Sequence, residues 1–533
     1  MLAIRTALVF VLVSWWSVGY AAAVDVVVVC ADGFREALQP WLKYRSDQGY
    51  EIRVISSGPT AADVRRDIQR VAAAGKLKAV VLVGDCRVAP DRPATAAVPA
   101  AYVRSQAISR FGGEREIATD NGYADLDGDH VPDVAVGRLS ADSPDQLATI
   151  VRKIIAYETS ADFGPWRRRI NFVAGVGGFG GLIDGLIEQT TRMFLAGGIP
   201  AEYQTSMTHA SWTSPYCPDP RKFSSTTVQR LNEGCLFWIY MGHGNPRRLD
   251  TLKVPDRKFP ILTAADVPRL NCKSPAPVAL FISCYAGACD ADEDCLAEEM
   301  LSHERGPVAV VAGSRMTLPY AMAVLGTELM TECFQHKQPT LGEMLLRAKR
   351  RAAVDQPQDR RRQALDSLGR LFSTSSQEMA DQRRDHLHLF NLIGDPLLRL
   401  HYPQPVQLEV PTTATPGSTI DVQGMAPIAG AATIELVVRR DRLTFTAPQR
   451  KQYKPNDQFL SEFDKVYRQA NNSQLAVQQI TIDKGEFHVA LPIPATAAGR
   501  CHVRIYIQGQ DDCAMGSAAV EVAADGVKVE GRR

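Results

Sequence analysis

The sequence predicts an α/β protein of two doubly wound units fused end to end, followed by a small β-sandwich of immunoglobulin type. Three observations carry this. Val26–Cys30 and Ala79–Val83 are continuously apolar, as strands of a parallel sheet covered on both faces must be. Helical spacing separates the apolar runs, so the order reads βαβαβ and then begins again. Beyond Pro403 the chain changes to short β-type runs divided by Pro, Gly and Asp.

In the first unit, Phe34–Asp47 places Phe34, Leu38, Trp41 and Leu42 at helical spacing. Ile52–Ile55 is a second strand. Ala61–Ala74 is a helix with Thr60 as its N-cap and Val64, Ile68 and Val71 on one face. The third strand continues as far as Asp85, and Ser143–Tyr157 is the next helix. The second unit has strands at Ile170–Val176, Cys235–Tyr240, Val278–Ile282 and Pro307–Val311. Its helices fall at Leu182–Phe194, Ala323–Phe334 and Leu341–Ala353. Asp355–Arg362 reads as a solvated helix face or loop. In the last unit, Val406–Val410, Ser418–Val422, Thr433–Val438, Phe487–Leu491 and Val503–Ile507 are strands, with Gln449–Asn472 a polar insertion among them.

The first residues have the layout of a secretory signal: Arg5, the apolar run Ala7–Val13, then Ser14–Tyr20 and the small residues Ala21-Ala22-Ala23. Cleavage after Ala23 is expected, and the apolar run falls short of the roughly 20 residues of a membrane span. The divisions are therefore 1–23 for the signal, 24–160 and 161–402 for the two α/β units, and 403–533 for the sandwich. No later stretch is long and apolar enough to cross a bilayer, so an exported protein without a span is expected. Lys plus Arg (60) balances Asp plus Glu (59), and no global field points to nucleic acid. Eleven cysteines leave at least one unpaired within the chain. Cys289 with Cys295, and Cys501 with Cys513, are possible pairs. The double Cys-x-x-Cys spacing of zinc sites is absent.

The chemistry gathers beyond two strand ends, where open α/β sheets place their active groups. Met241-Gly242-His243-Gly244-Asn245 follows one strand, and a histidine between two glycines has no side-chain neighbours to crowd it. Ser283-Cys284-Tyr285-Ala286-Gly287 follows the next, 41 residues further on. A cysteine nucleophile needs an imidazole to take its proton or lower its pKa, and adjacent strands bring the two together. The N–H groups of Gly244 and Cys284 are candidate oxyanion donors. The glycine-rich Gly175–Gly181 lacks the Gly-Lys-Ser/Thr ending of a phosphate loop. His386 and His388, beside an arginine pair, read as surface or interdomain residues.

Tyr240–Gly244, Ser283–Gly287 and Leu392-Ile393-Gly394-Asp395-Pro396 together resemble the gingipain-type cysteine peptidases of the caspase-like clan. Thr119–Asp129, continuing through Pro132-Asp133 to Gly137-Arg138-Leu139, resembles them too, so the likeness covers about residues 25–400. It implies two caspase-like subdomains with catalysis in the second, an immunoglobulin-like module, and a His243–Cys284 dyad acting on polypeptides. It also implies an acid some sixty residues before His243, which lands near Asp184, with Glu188 one helical turn on as the alternative.

Asp290, Asp292, Glu293 and Asp294 follow the nucleophile and could attract a basic side chain. Asp125, Asp127, Asp129 and Asp133 have oxygen-rich spacing suited to a structural Ca²⁺. It is not an EF-hand, since His130 and Val136 stand where Gly and Glu are needed. The chemistry itself calls for no metal or cofactor. The expected activity is that of an exported cysteine endopeptidase. A ligase or transpeptidase shares its acyl-enzyme. The rival class is a catalytically silent surface or adhesion protein on the same scaffold.

Overall fold

The structure, a computed structural model, describes residues 24–87, 96–176, 198–273 and 275–523. Ten strands make one central sheet: β1 (Val26–Cys30), β2 (Ile52–Ser56), β3 (Ala79–Val83), β4 (Ala135–Leu139), β5 (Arg169–Ala174), β6 (Gln204–His209), β7 (Phe237–Met241), β8 (Val278–Ile282), β9 (Ala309–Gly313) and β10 (Phe390–Ile393). Their order is β2-β1-β3-β4-β10-β9-β8-β7-β5-β6. Within β2 to β4, and within β9 to β6, neighbours are parallel. β10 is the seam. It runs parallel to β4 through Ile393 and Arg138 but antiparallel to β9, with Val310 opposite Ile393. The two halves therefore present their carboxyl ends to opposite edges of one sheet.

Apolar continuity matches position in this sheet. Every residue of β1, β3, β7 and β9 is buried, as helices on both faces require. The edge strand β6 has the polar sequence Gln204-Thr205-Ser206-Met207-Thr208-His209, which reads as no strand in isolation.

Ten α-helices are described: α1 (Arg35–Asp47), α2 (Ala61–Ala72), α3 (Pro144–Glu158), α4 (Phe223–Asn232), α5 (Leu296–Ser302), α6 (Pro319–Phe334), α7 (Leu341–Ala353), α8 (Arg360–Gly369), α9 (Ser376–Leu389) and α10 (Asp457–Ala470). Their starts follow side-chain capping. The oxygens of Thr60, Ser143, Thr340, Asp359, Ser375 and Asn456 accept first-turn N–H groups. The acid-and-arginine stretch 355–362 is less solvated than expected. Arg362 lies buried at the start of α8, its guanidinium on Asp366 and the carbonyls of Ala352 and Val354.

Beyond residue 403 two sheets share a core. One joins Gln404–Pro405, Thr413–Ala414, Gly430–Val438, Gln474–Ile482, Gly499–Gln508 and Cys513–Val522; the other joins Gln407–Glu409, Thr419–Ala426 and Gly485–Pro492. Ile434, Leu436, Val503 and Ile505 from the first meet Val422 and Leu491 from the second. The polar insertion contains α10, an amphipathic helix that buries Leu460, Phe463, Val466 and Tyr467. It covers the exposed edge of β6. The Asn471 amide, just past the helix, accepts from the Met207 N–H (2.6 Å) and donates to the Met207 carbonyl (3.0 Å). A side chain thus pairs the open edge.

All eleven cysteines are free. Cys501 lies opposite Val520 and Cys513 opposite Gln508, so those two thiols sit toward opposite ends of one hairpin.

Candidate active site

β7 and β8 are adjacent and parallel, with Phe237 opposite Val278 and Met241 opposite Ile282. The Gly242 N–H reaches the Ile282 carbonyl (3.3 Å) and extends the ladder past the last strand residue. One step further, His243 and Cys284 occupy equivalent positions, each two residues beyond its strand. The loops touch. A Cβ on Gly244 would lie 2.4 Å from the Cys284 carbonyl oxygen and 2.9 Å from Ser283 Oγ. Only a residue without a side chain permits that approach. The histidine turn is fixed from below, because Tyr240 Oη donates to the His243 carbonyl (2.7 Å) and accepts from the Asp250 N–H (3.3 Å). The same hydroxyl would meet a Cβ on Gly242 at 2.7 Å, and Gly242 has φ +157°.

The cysteine loop is equally constrained. Tyr285 has φ +58°, an uncommon value outside glycine and one that recurs at functional turns. The Ala286 N–H folds back onto the Cys284 carbonyl (2.7 Å), and the Tyr285 hydroxyl donates to Glu114 (2.9 Å) from the first half of the chain. The Cys284 sulfur rests against Thr317, just beyond β9. It lies 3.3 Å from the Thr317 N–H nitrogen and 3.3 Å from its hydroxyl oxygen. Sequence reading missed Thr317, because a threonine after a third strand carries no signal until the fold places it. Behind it, the Leu318 N–H donates to His386 Nε2 (2.9 Å), and His386 Nδ1 lies 2.7 Å from the Gln382 carbonyl. Burial holds His386 neutral, pushing it down to about 4. It is a core residue of α9, as is His388; neither lies on the surface, and His388 faces His130 of the first unit, an interdomain position (ring centroids 6.3 Å apart).

Cys284 differs from the other ten cysteines. Those are buried, whereas Cys284, His243, Gly244 and Tyr285 are all partly exposed. Burial raises Cys30, Cys501 and Cys513 to about 11, and Cys217, Cys272 and Cys333 to about 12. Thiols in that condition supply little thiolate at neutral pH. Asp184 and Glu188 lie outside the described residues, as does most of the glycine-rich loop.

The acidic loop after Cys284 is largely occupied. Asp290 takes the Arg315 guanidinium through both oxygens (2.7 and 2.5 Å) and the Tyr102 hydroxyl (3.0 Å). Asp292 pairs with Arg87 and Glu293 with Arg247. Asp294 faces Asp85 and Asp142 instead; burial first, then those neighbours, raises it to about 6. In the other acidic run, Asp125, Asp127 and Asp133 come together, and Asp129 is not part of that group. Asp125 already accepts the Gly128 N–H (2.7 Å) and pairs with Arg65 (3.1 Å); Asp133 accepts the Leu126 N–H (2.8 Å) and pairs with Arg350 (2.9 Å).

The sequence model of peptidase family C25 matches residues 20–401. The chain belongs to this family, the gingipain-type cysteine peptidases. Lys-gingipain of Porphyromonas gingivalis is 25% identical over 306 residues, which is 55% of this chain and 16% of the relative; Lys-gingipain W83 is 24% identical over the same length. The chain thus spans about a sixth of the length of these relatives. The crystal structure of the Arg specific cysteine proteinase gingipain R superposes with a TM-score of 0.51 at 14% identity, covering 94% of this chain and 98% of that one. A second solved structure, described only as a protease, gives 0.53 at 16% identity over 94% and 98%. Similarity at that level establishes a shared α/β architecture with a large central sheet. Among the described residues, no helix is long and apolar enough to cross a membrane.

Proposed function

We propose that this C25 family member is an exported cysteine endopeptidase whose dyad is Cys284 and His243. The observation that carries the reading is the contact of Gly244 with the Cys284 carbonyl, which sets the two loops side by side at a partly exposed sheet edge. Cys284 Sγ attacks the scissile carbonyl carbon and the C–N bond breaks. His243 carries the thiol proton to the departing amine, and water then hydrolyses the thioester. The N–H groups of Gly244 and Cys284 hold the oxyanion. Asp184, or Glu188 in its place, orients the imidazole. The two halves of the sheet correspond to caspase-like subdomains, and residues 403–533 to an immunoglobulin-like module.

Alkylation by iodoacetamide tests the dyad. Rapid labelling is expected at Cys284, absent in Cys284→Ala and slowed in His243→Ala, with peptide cleavage lost in both. Labelling without cleavage of any peptide would favour the silent scaffold, and label elsewhere would end the assignment.

A preference for basic residues is proposed from the relatives alone, whose names specify lysine and arginine. Asp290 does not supply it, being neutralised by Arg315. A fluorogenic panel in which Lys and Arg substrates show no advantage would dispose of it. Residues 1–23 are the proposed export signal, checked by the N-terminus of the mature protein. For Asp125, Asp127 and Asp133 the proposal is a structural Ca²⁺ that takes the places of Arg65 and Arg350. Calorimetry without a heat of Ca²⁺ binding removes it.

A further inference from the structure

A cavity of about 400 Å³ lies where the C-terminal sandwich meets the second half of the α/β sheet. Gln335 and the backbone around Ile199 and Pro200 form one wall; Arg439, Arg440, Arg500, His502 and Arg504 come from the sandwich. Three of these guanidiniums are pinned. Arg440 donates to the carbonyls of Ile199 (2.6 Å), Tyr203 (2.6 Å) and Pro200. Arg504 is held by Glu435 (2.7 Å) and Arg439 by Asp441 (2.5 Å). The other two donors are uncommitted. Among the described residues, neither the Arg500 guanidinium nor the His502 ring has a hydrogen-bond or ion-pair partner, although both line the cavity.

The charges do not balance. Asp441 offsets Arg439 and Glu521 stands opposite Arg500 in the ladder, but Glu435 is shared between Arg504 and a fifth arginine, Arg168 (2.8 Å), and Glu202 spends a carboxylate oxygen on Ser517 (2.8 Å). The surplus is felt locally. Burial first, then Arg504, lowers Arg440 to about 10; burial first, then Arg440 and Arg500, lowers His502. Concentrated positive charge in a concave, partly desolvated site, with two donors unspent, is the arrangement that recognises an oxyanion.

We infer that this cavity binds a tetrahedral oxyanion of the phosphate or sulfate class, held by Arg500 and His502 in the field of the pinned arginines. The ion lies between the two domains and ties them together. Neither the cavity nor its arginines belong to the proposed peptidase site, so the inference stands apart from that reading.

The test is calorimetry and thermal melting of the full chain with phosphate, sulfate, acetate and chloride at equal ionic strength. Phosphate and sulfate are expected to bind with about 1:1 stoichiometry and to raise the melting temperature above chloride. Arg500→Gln and His502→Gln, both at the cavity surface, should fold normally in chloride and each weaken binding about tenfold, or ~1.4 kcal/mol. A stronger effect of sulfate than phosphate would identify a sulfated ligand, and the reverse a phosphorylated one. Acetate matching both would replace the tetrahedral ion by a carboxylate and overturn the inference as stated. So would equal melting in all four salts, or a phosphate shift that persists unchanged in the two variants.

Discussion

Gly244→Ala tests the geometry on which the peptidase reading depends. The new Cβ would start 2.4 Å from the Cys284 carbonyl oxygen, and 3.0 Å is the least that folded proteins tolerate, so the loops must open by at least 0.6 Å. Neither side yields cheaply. The obstacle is backbone, the Ser283 Oγ blocks a second direction at 2.9 Å, and the Tyr240 hydroxyl ties the His243 carbonyl from behind. Overpacking of this kind costs ~1–3 kcal/mol of stability. Its effect on function should be larger than its effect on folding. A displacement approaching 1 Å between reacting groups can cost on the order of 10²-fold in rate. The assays are urea denaturation, the alkylation rate of Cys284, and kcat/KM on a peptide. A modest loss of stability with a severe loss of both rates is expected. Gly417→Ala is the control. Gly417 has φ +82° and open space around it, so alanine there costs ~1 kcal/mol of backbone strain without touching the site. If Gly244→Ala behaves like Gly417→Ala, with alkylation and turnover intact, the contact between the loops does not organise the site.

Three further outcomes follow from burial and charge. Thr317→Val removes the hydroxyl 3.3 Å from the Cys284 sulfur, and should slow alkylation at neutral pH while Thr317→Ser preserves it; equal rates in all three proteins would relegate Thr317 to packing. Glu435 is buried, which raises it, but Arg504 and Arg168 outweigh that and hold it below the ordinary glutamate value. Its contribution is therefore complete above that value and lost as pH falls through the lowered one. Glu435→Gln should cost ~3–5 kcal/mol at pH 7, because two buried guanidiniums lose their counter-charge, and urea midpoints of the two proteins should converge in acid. Glu298 has the opposite sign. Burial first, then Asp85, raises it to about 8, so the folded state keeps a proton that the unfolded chain releases near 4.5. Stability should decline by about 1.4 kcal/mol per pH unit across that interval, and Glu298→Gln should flatten the decline. An unchanged slope in the variant would place the titration elsewhere.

Periodicity was sufficient wherever a strand is covered on both faces or a helix carries its own cap. Val278–Ile282 and Leu341–Ala353 are legible to the residue, and the second helix begins at Ala61 where Thr60 demands it. β6 was illegible because an edge strand paired by an asparagine side chain needs no apolar run. β10 was illegible as a strand for another reason. Leu392-Ile393-Gly394-Asp395-Pro396 reads as a motif, but its antiparallel pairing with β9 depends on α9 delivering it back across the sheet. His243 and Cys284 could be singled out because glycines and strand ends mark them locally. Thr317 could not, since its relation to the thiol exists only in the assembled sheet.

The motifs beyond His243 and Cys284 have a structural meaning that bears on how the candidate site is held. Asp120 receives the buried Arg138 guanidinium through both oxygens (2.9 and 2.6 Å), and Arg138 also donates to the carbonyls of Gly84 and Val98. Asp395 accepts from Trp41 Nε1 (2.5 Å), Arg45 (2.6 Å) and the Leu397 N–H (2.8 Å). Each carboxylate is buried. Asp395 joins the first half of the chain to the loop after β10, and Asp120 holds Arg138 on β4 while its own N–H donates to Asn391 on β10 (3.0 Å). Removing either partner would leave an uncompensated buried charge, so these ties resist change. They fix β10, β10 fixes β9, and β9 carries Thr317 to the Cys284 sulfur. The first half of the chain contains neither His243 nor Cys284, yet it bears on the Cys284 loop through this seam and through the Glu114–Tyr285 bond. A fragment beginning at β5 would keep His243, Cys284 and the strands they follow, but lose β4, which flanks β10, and the Glu114 partner of Tyr285.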